Sequence, residues 1–139
     1  VTEPSLLRIG DLAAATGTKI VTIRYYEKIG LLPAPPRTGG NYRAYSNMHQ
    51  ERLSFIRRSR ALGFTLDEIR ELLELSADTE RDCAAVDRLV TSHLVEVEDK
   101  IADLQRLASE LRRMKESCRG GTIDDCRIIE ALSSQSAMP

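Results

Sequence analysis

The sequence predicts a mainly α-helical protein in which several short helices precede one long one. Three observations predict it. An apolar seam of Val90, Leu94, Val97, Ile101, Leu104, Ala108 and Leu111 steps four, three, four, three, the a/d rhythm of a coiled coil. Ahead of it, two short helical patterns are joined by the tight break Gly17-Thr18. Two of the three cysteines share the phase of the seam: Cys83, Val90, Val97, Leu104, Leu111 and Cys118 are each seven apart.

Taken in order, Ile9, Leu12 and Ala13 lie at helical spacing, so residues 9–16 form a first helix that Gly17 ends. Residues 21–28 form a second, and the pair makes a helix-turn-helix. Gly30 stops it, and Pro33, Pro35 and Pro36 forbid an immediate third. The turn Arg37-Thr38-Gly39-Gly40-Asn41 and the extended Tyr42-Arg43-Ala44-Tyr45 predict a two-stranded wing. Ser46 or Asn47 caps a helix over about 48–62, which Gly63 closes. Thr65-x-x-Glu68 is a capping box that opens a helix to about residue 75. Residues 76–82 are a polar linker. The long helix covers about 83–117, a Gly-containing loop 119–125 and a short last helix 126–132, with a disordered tail from residue 133. The domain expectation is therefore 7–75, linker 76–82, dimer helix 83–117, loop and terminal helix 118–132, and tail 133–139.

Composition narrows the function. The net charge of −1 hides an asymmetry: residues 1–70 carry 11 Lys or Arg against 6 Asp or Glu, and residues 71–139 carry 9 against 15. The first part is a candidate polyanion binder and the second is not. No apolar run approaches a membrane span and no signal peptide opens the chain, so the expectation is a cytoplasmic protein without a membrane partner. An odd cysteine count in that setting points to a reducing compartment and free thiols.

The basic part concentrates its chemistry on the second helix and the wing. Thr22, Arg24, Tyr25, Tyr26 and Lys28 share a helix too short to bury them all. Arg and Tyr hydrogen-bond to phosphate, and Arg reads guanine in the major groove. Arg37, Asn41, Tyr42, Arg43 and Tyr45 place a basic, Tyr-rich hairpin beside that helix, suited to the flanking backbone. The competing reading is an ordinary surface helix with one tyrosine buried. The run Arg57-Arg58-x-Arg60 reads as a solvated face, from which one or two arginines can touch phosphate.

The cysteines allow several readings. A single helix holds Cys83 and Cys118 roughly 52 Å apart, so they cannot meet within one chain. If two copies pair antiparallel, Cys83 of one arrives beside Cys118 and Cys126 of the other, three thiolates at each end. Cys126 lies eight residues past Cys118, across a loop with Gly120 and Gly121 that can fold both sulfurs onto one ion. Alternatively, the cysteines are small hydrophobes of the seam, or form a disulfide, which a reducing compartment disfavours. A thiol enzyme or redox switch is a further class, but no Cys-x-x-Cys pair and no base-assisted nucleophile is present. A coiled-coil interaction module without a DNA role leaves Arg24, Tyr25, Tyr26 and the wing unexplained.

The residues Ile9-Gly10-Asp11-Leu12-Ala13, Thr22-Ile23-Arg24-Tyr25-Tyr26-Glu27, Gly30-Leu31-Leu32-Pro33, Asn41-Tyr42-Arg43-x-Tyr45 and Leu62-Gly63-Phe64-Thr65-Leu66-x-Glu68-Ile69 together resemble the MerR family of bacterial transcription regulators, over about residues 7–132. The resemblance implies a winged helix-turn-helix domain, an antiparallel coiled-coil homodimer and double-stranded promoter DNA with an over-long spacer. It implies that the effector-bound form kinks and undertwists the promoter for bacterial RNA polymerase holoenzyme. It also implies metal ligation by Cys118 and Cys126, with Cys83 added in sensors of divalent ions.

In the resembling copper and gold sensors a Ser stands where Cys83 stands, although residues 126–130 here look like the copper loop. The resembling zinc sensors add a loop Cys and His; here Arg119 follows Cys118, and zinc prefers four ligands. Three thiolates with no fourth donor suit Cd(II), Pb(II) or Hg(II). Gly40-Asn41-Tyr42-Arg43 looks more like the cadmium and lead regulators than the mercury ones. His93, next to the seam, reads as structural, and His49 is the other histidine. Family members that sense organic drugs carry a larger C-terminal domain than the 22 residues after Ser117.

Overall fold

A computed structural model of the chain describes residues 6–37, 40 and 43–134. Among the described residues six α-helices follow one another: α1 (Ile9–Thr16), α2 (Ile20–Lys28), α3 (Asn47–Ala61), α4 (Leu66–Ser76), α5 (Ala84–Ser117) and α6 (Arg127–Ser133), with a 3₁₀ turn at Ile123–Asp125 before α6. The chain divides into two compact units, Val1–Leu89 and Val90–Pro139, and the division falls inside α5. The expected tail is described only to Ser134, and residues 135–139 lie outside the described residues.

Each boundary has a local cause. Asp11 accepts the backbone N–H of Arg8 at 3.4 Å at the start of α1. Gly17 ends α1 in the left-handed region, φ 64°, and donates to Ala13. A Cβ at Gly17 would also displace the Arg57 guanidinium, the movable end of a flexible side chain, so the positive φ is what requires glycine there. Thr65 and Glu68 form the expected capping box, with bonds of 3.1 and 2.8 Å. At α3 the cap is Ser46, whose N–H donates to His49 Nδ1 at 3.1 Å. His49 Nε2–H then donates to Pro33 O at 3.0 Å, so a buried histidine ties the Pro-rich segment to α3.

Two hydrophobic clusters hold the first unit. One gathers Leu31, Ile56, Phe64, Ile69, Leu72 and Leu73, with Val86 and Leu89 of the first turns of α5 packed against it. The other gathers Leu12, Ile23, Leu32, Tyr45 and Leu53. Tyr26 packs against both. Four arginines satisfy carbonyls that the helices and turns leave open. Arg57 donates to Thr16 O and Arg70 to Ile29 O, at the ends of α1 and α2, while Arg52 donates to Leu31 O and Arg60 to Phe64 O. The run at 57–60 is thus partly structural and not simply a solvated face.

The wing is slighter than the two strands expected. Among the described residues it consists of two isolated antiparallel bridges, Leu7 with Tyr45 and Arg37 with Arg43. The second unit is dominated by α5, of whose 34 residues none is buried. Val90, Leu94, Ile101, Leu104, Leu107 and Leu111 are all exposed. Among the described residues no helix is long and apolar enough to cross a membrane.

Candidate DNA-binding surface and metal centre

Helix α2 presents Arg24, Tyr25 and Lys28 to solvent, with Thr22 and Tyr26 half-buried. The Tyr25 and Tyr26 rings lie 6.2 Å apart and tilted by 50°. Arg24 also lines a concavity of about 380 Å³ with Arg8, Ile9, Arg37 and Arg43. Helix α2, the segment before α1 and the wing therefore bring four guanidinium groups to one hollow, which matches a phosphate backbone in charge. A second hollow of about 360 Å³, on the helix-turn-helix turn, is lined by Lys19, Thr22, Arg57 and Arg60 among others.

The contact set read from the sequence needs one correction. Tyr45, expected on the DNA-facing hairpin, is fully buried in the core with Leu12 and Ile23. Its ring meets His49 edge-on at 5.3 Å. Its hydroxyl donates to Glu27 Oε1 at 2.7 Å, so Tyr45 anchors the wing rather than touching a ligand. Tyr26 is divided in role, since its ring seals both clusters. Asn41 and Tyr42 lie outside the described residues. The sequence reading did not single out Arg8, which lines the hollow, or Glu27, which accepts from Arg43 and Tyr45. The signals available were a basic residue directly before the first helix and a lone carboxylate within Arg24-Tyr25-Tyr26-Glu27-Lys28.

Burial pushes the Tyr45 hydroxyl up from 10.0 to about 12; the hydrogen bond to Glu27 and its charge push the same way, and Arg43 opposes them. The folded chain keeps this proton to higher pH than the unfolded chain does. Stability from the hydroxyl is therefore complete below pH 10 and is lost as pH rises through about 12. We predict that denaturant titrations of wild type and Tyr45→Phe converge across that window, because only wild type has the group to ionise. A constant difference between the two proteins would mean that Tyr45 does not titrate in it.

The cysteines occupy helix boundaries. Cys83 is exposed, and its carbonyl accepts the N–H of Asp87 at 2.9 Å, which places it at the start of α5. Cys118 is exposed and follows the last residue of α5. Cys126 is half-buried, precedes α6 and accepts the N–H of Glu130 at 3.1 Å. Between the last two, Gly120 and Gly121 take φ of 79° and 95°, and Asp125 closes the 3₁₀ turn onto Thr122 at 3.1 Å. Among the described residues, no group of three or more His, Cys, Asp or Glu that could hold a metal forms within one chain. His93, set aside as structural, lies 4.0 Å from Glu96 through Nδ1.

A helix-turn-helix with a basic hollow, joined to a long helix with cysteines at its ends, defines a class of DNA-binding regulator, and the relatives agree. The model described as MerR HTH family regulatory protein matches residues 7–76, and that described as MerR, DNA binding, matches residues 50–114. The chain belongs to the MerR family. It is 42% identical over 126 residues to the mercuric resistance operon regulatory protein of Bacillus cereus, covering 90% of this chain and 96% of that one. It resembles the solved transcription regulator PbrR691 from Ralstonia metallidurans CH34 in complex with lead(II), with a TM-score of 0.81, 42% identity and coverage of 91% and 99%. It also resembles the dual function transcriptional regulator MerR from Bacillus megaterium MB1 in complex with mercury(II), with a TM-score of 0.70, 35% identity and coverage of 92% and 100%. The chain is a DNA-binding, metal-responsive transcription regulator and not an enzyme.

Proposed function

We propose that this chain is a homodimeric sensor of a soft divalent ion, Cd(II), Pb(II) or Hg(II), that activates heavy-metal resistance genes. The ion is held by Cys83 of one protomer with Cys118 and Cys126 of the partner. The carrying observation is that α5 has a cysteine at each end and no buried residue. An apolar face of that length needs a second copy, and antiparallel pairing brings opposite ends together. Thiolates favour soft ions, and three of them without a nitrogen donor suit large thiophilic divalent ions better than tetrahedral zinc. Binding would tie the start of one α5 to the loop that ends the other. Two similar regulators were solved in complex with lead(II) and mercury(II), which supports this donor chemistry.

The DNA-binding unit supplies the output. Arg24, Tyr25 and Lys28 of α2 face the promoter, and Arg37 and Arg43 of the wing hold the flanking phosphates. Two copies distort the promoter so that RNA polymerase engages it when the ion is bound. Titration of reduced protein with each ion tests the sensor: sulfur-to-metal charge-transfer absorbance should saturate at two ions per dimer. Absence of such absorbance with Cd(II), Pb(II) and Hg(II) alike would sink the three-thiolate reading.

The DNA surface has its own test. Arg43→Ala should weaken binding to every duplex alike and lower the slope of log affinity against log salt by about one, since one phosphate contact is gone. Arg24→Ala should also relax sequence preference if it reads a base edge, worth about 1–3 kcal/mol of discrimination. Fluorescence anisotropy over a salt series measures both. Unchanged affinity in both variants would move the recognition surface elsewhere.

A further inference from the structure

We infer that Glu27 is a positioning residue for DNA binding, holding Arg43 of the wing against the recognition helix. The inference rests on the proposed DNA surface. Glu27 lies in the last turn of α2, yet its side chain is only 7% exposed. Its Oε2 meets Arg43 Nη1 at 2.8 Å, and its Oε1 accepts the Tyr45 hydroxyl at 2.7 Å. Everything else about this carboxylate is unfavourable. Burial penalises the charge. The C-terminal turn of a helix disfavours an anion. A carboxylate beside an arginine-lined hollow also repels the phosphates that the hollow attracts. What remains in its favour is geometry.

Arg43 has five N–H donors in a rigid fork. Glu27 engages Nη1, and the Arg43 side chain remains 40% exposed at the hollow it shares with Arg24. Tyr45 fixes the other carboxylate oxygen from the core, so the ion pair is braced on the buried side. Arg43 also pairs with Arg37 through an antiparallel backbone bridge, so the same anchor bears on both sides of the wing. Glu27 thus exchanges some long-range attraction for a pre-oriented guanidinium.

The two effects predict opposite signs. By charge alone, Glu27→Gln removes a repulsive anion and tightens binding. By positioning, it loosens Arg43, so affinity for a mixed-sequence duplex falls by about tenfold, within the usual range of coupling between contacting residues. The salt slope should fall by about one. In an Arg43→Ala background the same change should no longer weaken binding. Glu27→Asp is the companion variant: it keeps the charge but is too short to reach both partners, so positioning predicts weaker binding and charge alone predicts none. Circular dichroism and thermal unfolding confirm that each variant is folded, and Glu27→Asp carries the test should Glu27→Gln not be. Glu27→Gln and Glu27→Asp binding as tightly as wild type, while Arg43→Ala weakens, would overturn the proposal and leave the DNA surface standing. If Arg43→Ala itself has no effect, the DNA surface falls and this inference with it.

Discussion

Replacing Leu104 by Asp is expected to yield monomers that no longer bind promoter DNA. Leu104 is 64% exposed in the single chain, and Leu111 and Ile101 beside it in the seam are 65% and 49% exposed. A leucine fully buried against a second helix contributes about 1.5–3 kcal/mol. An antiparallel seam uses each position twice per dimer. The substitution therefore removes two such contributions and places two carboxylates in an apolar interface, where burying an unpaired charge costs several kcal/mol more. Leu104 belongs to neither hydrophobic cluster of the first unit, so the DNA-binding fold has no reason to melt. DNA binding should be lost because a single helix-turn-helix reads one half-site, while affinity for the whole site needs two copies at fixed spacing. Val97→Asp should act likewise. Light scattering gives the mass and anisotropy the affinity. A folded, monomeric variant that binds the promoter as wild type does would remove the case for the seam.

The heptad seam was legible because periodicity is a property of spacing alone. Position after position is apolar every third or fourth residue, and no residue of α5 is buried in the single chain. The helix boundaries were legible for a similar reason, since Gly17 and the Thr65–Glu68 pair act on their immediate neighbours. Tyr45 was not. An extended tyrosine beside Arg43 looks like a groove contact, and its burial depends on Leu7 pairing with it across 38 residues of chain. Nor could charge pattern reveal that Arg52, Arg57, Arg60 and Arg70 satisfy backbone carbonyls. A guanidinium has the same sequence signature whether it faces phosphate or a helix end. Arg8 and Glu27 escaped for the same reason, because Arg8 joins Arg24, Arg37 and Arg43 at one hollow, and Glu27 meets Arg43, only when separate segments fold together.

A mixed dimer tests where the metal sits. One protomer carries Cys83→Ser, and the other carries Cys118→Ser with Cys126→Ser. If each pocket is built from both chains, Cys83 of the second protomer joins Cys118 and Cys126 of the first, and one intact pocket remains. The other pocket has no cysteine at all. The heterodimer should then bind half the Pb(II) or Cd(II) of wild type, with charge-transfer absorbance of undiminished energy and half the intensity. If each pocket were built within one chain, neither protomer would have a full set and the three-thiolate band would vanish. The 34 residues of α5 rise about 51 Å as a straight helix, so a cysteine at each end favours the first outcome. Ion choice follows from the same geometry. Cys83→Ser in both protomers leaves two thiolates on the loop, sufficient for a linear monovalent ion and insufficient for a three-thiolate divalent one. Affinity for Pb(II) or Cd(II) should therefore fall far more than affinity for Cu(I). Equal losses for both would show that Cys83 contributes no selectivity, and the divalent assignment would have no chemical basis in this chain.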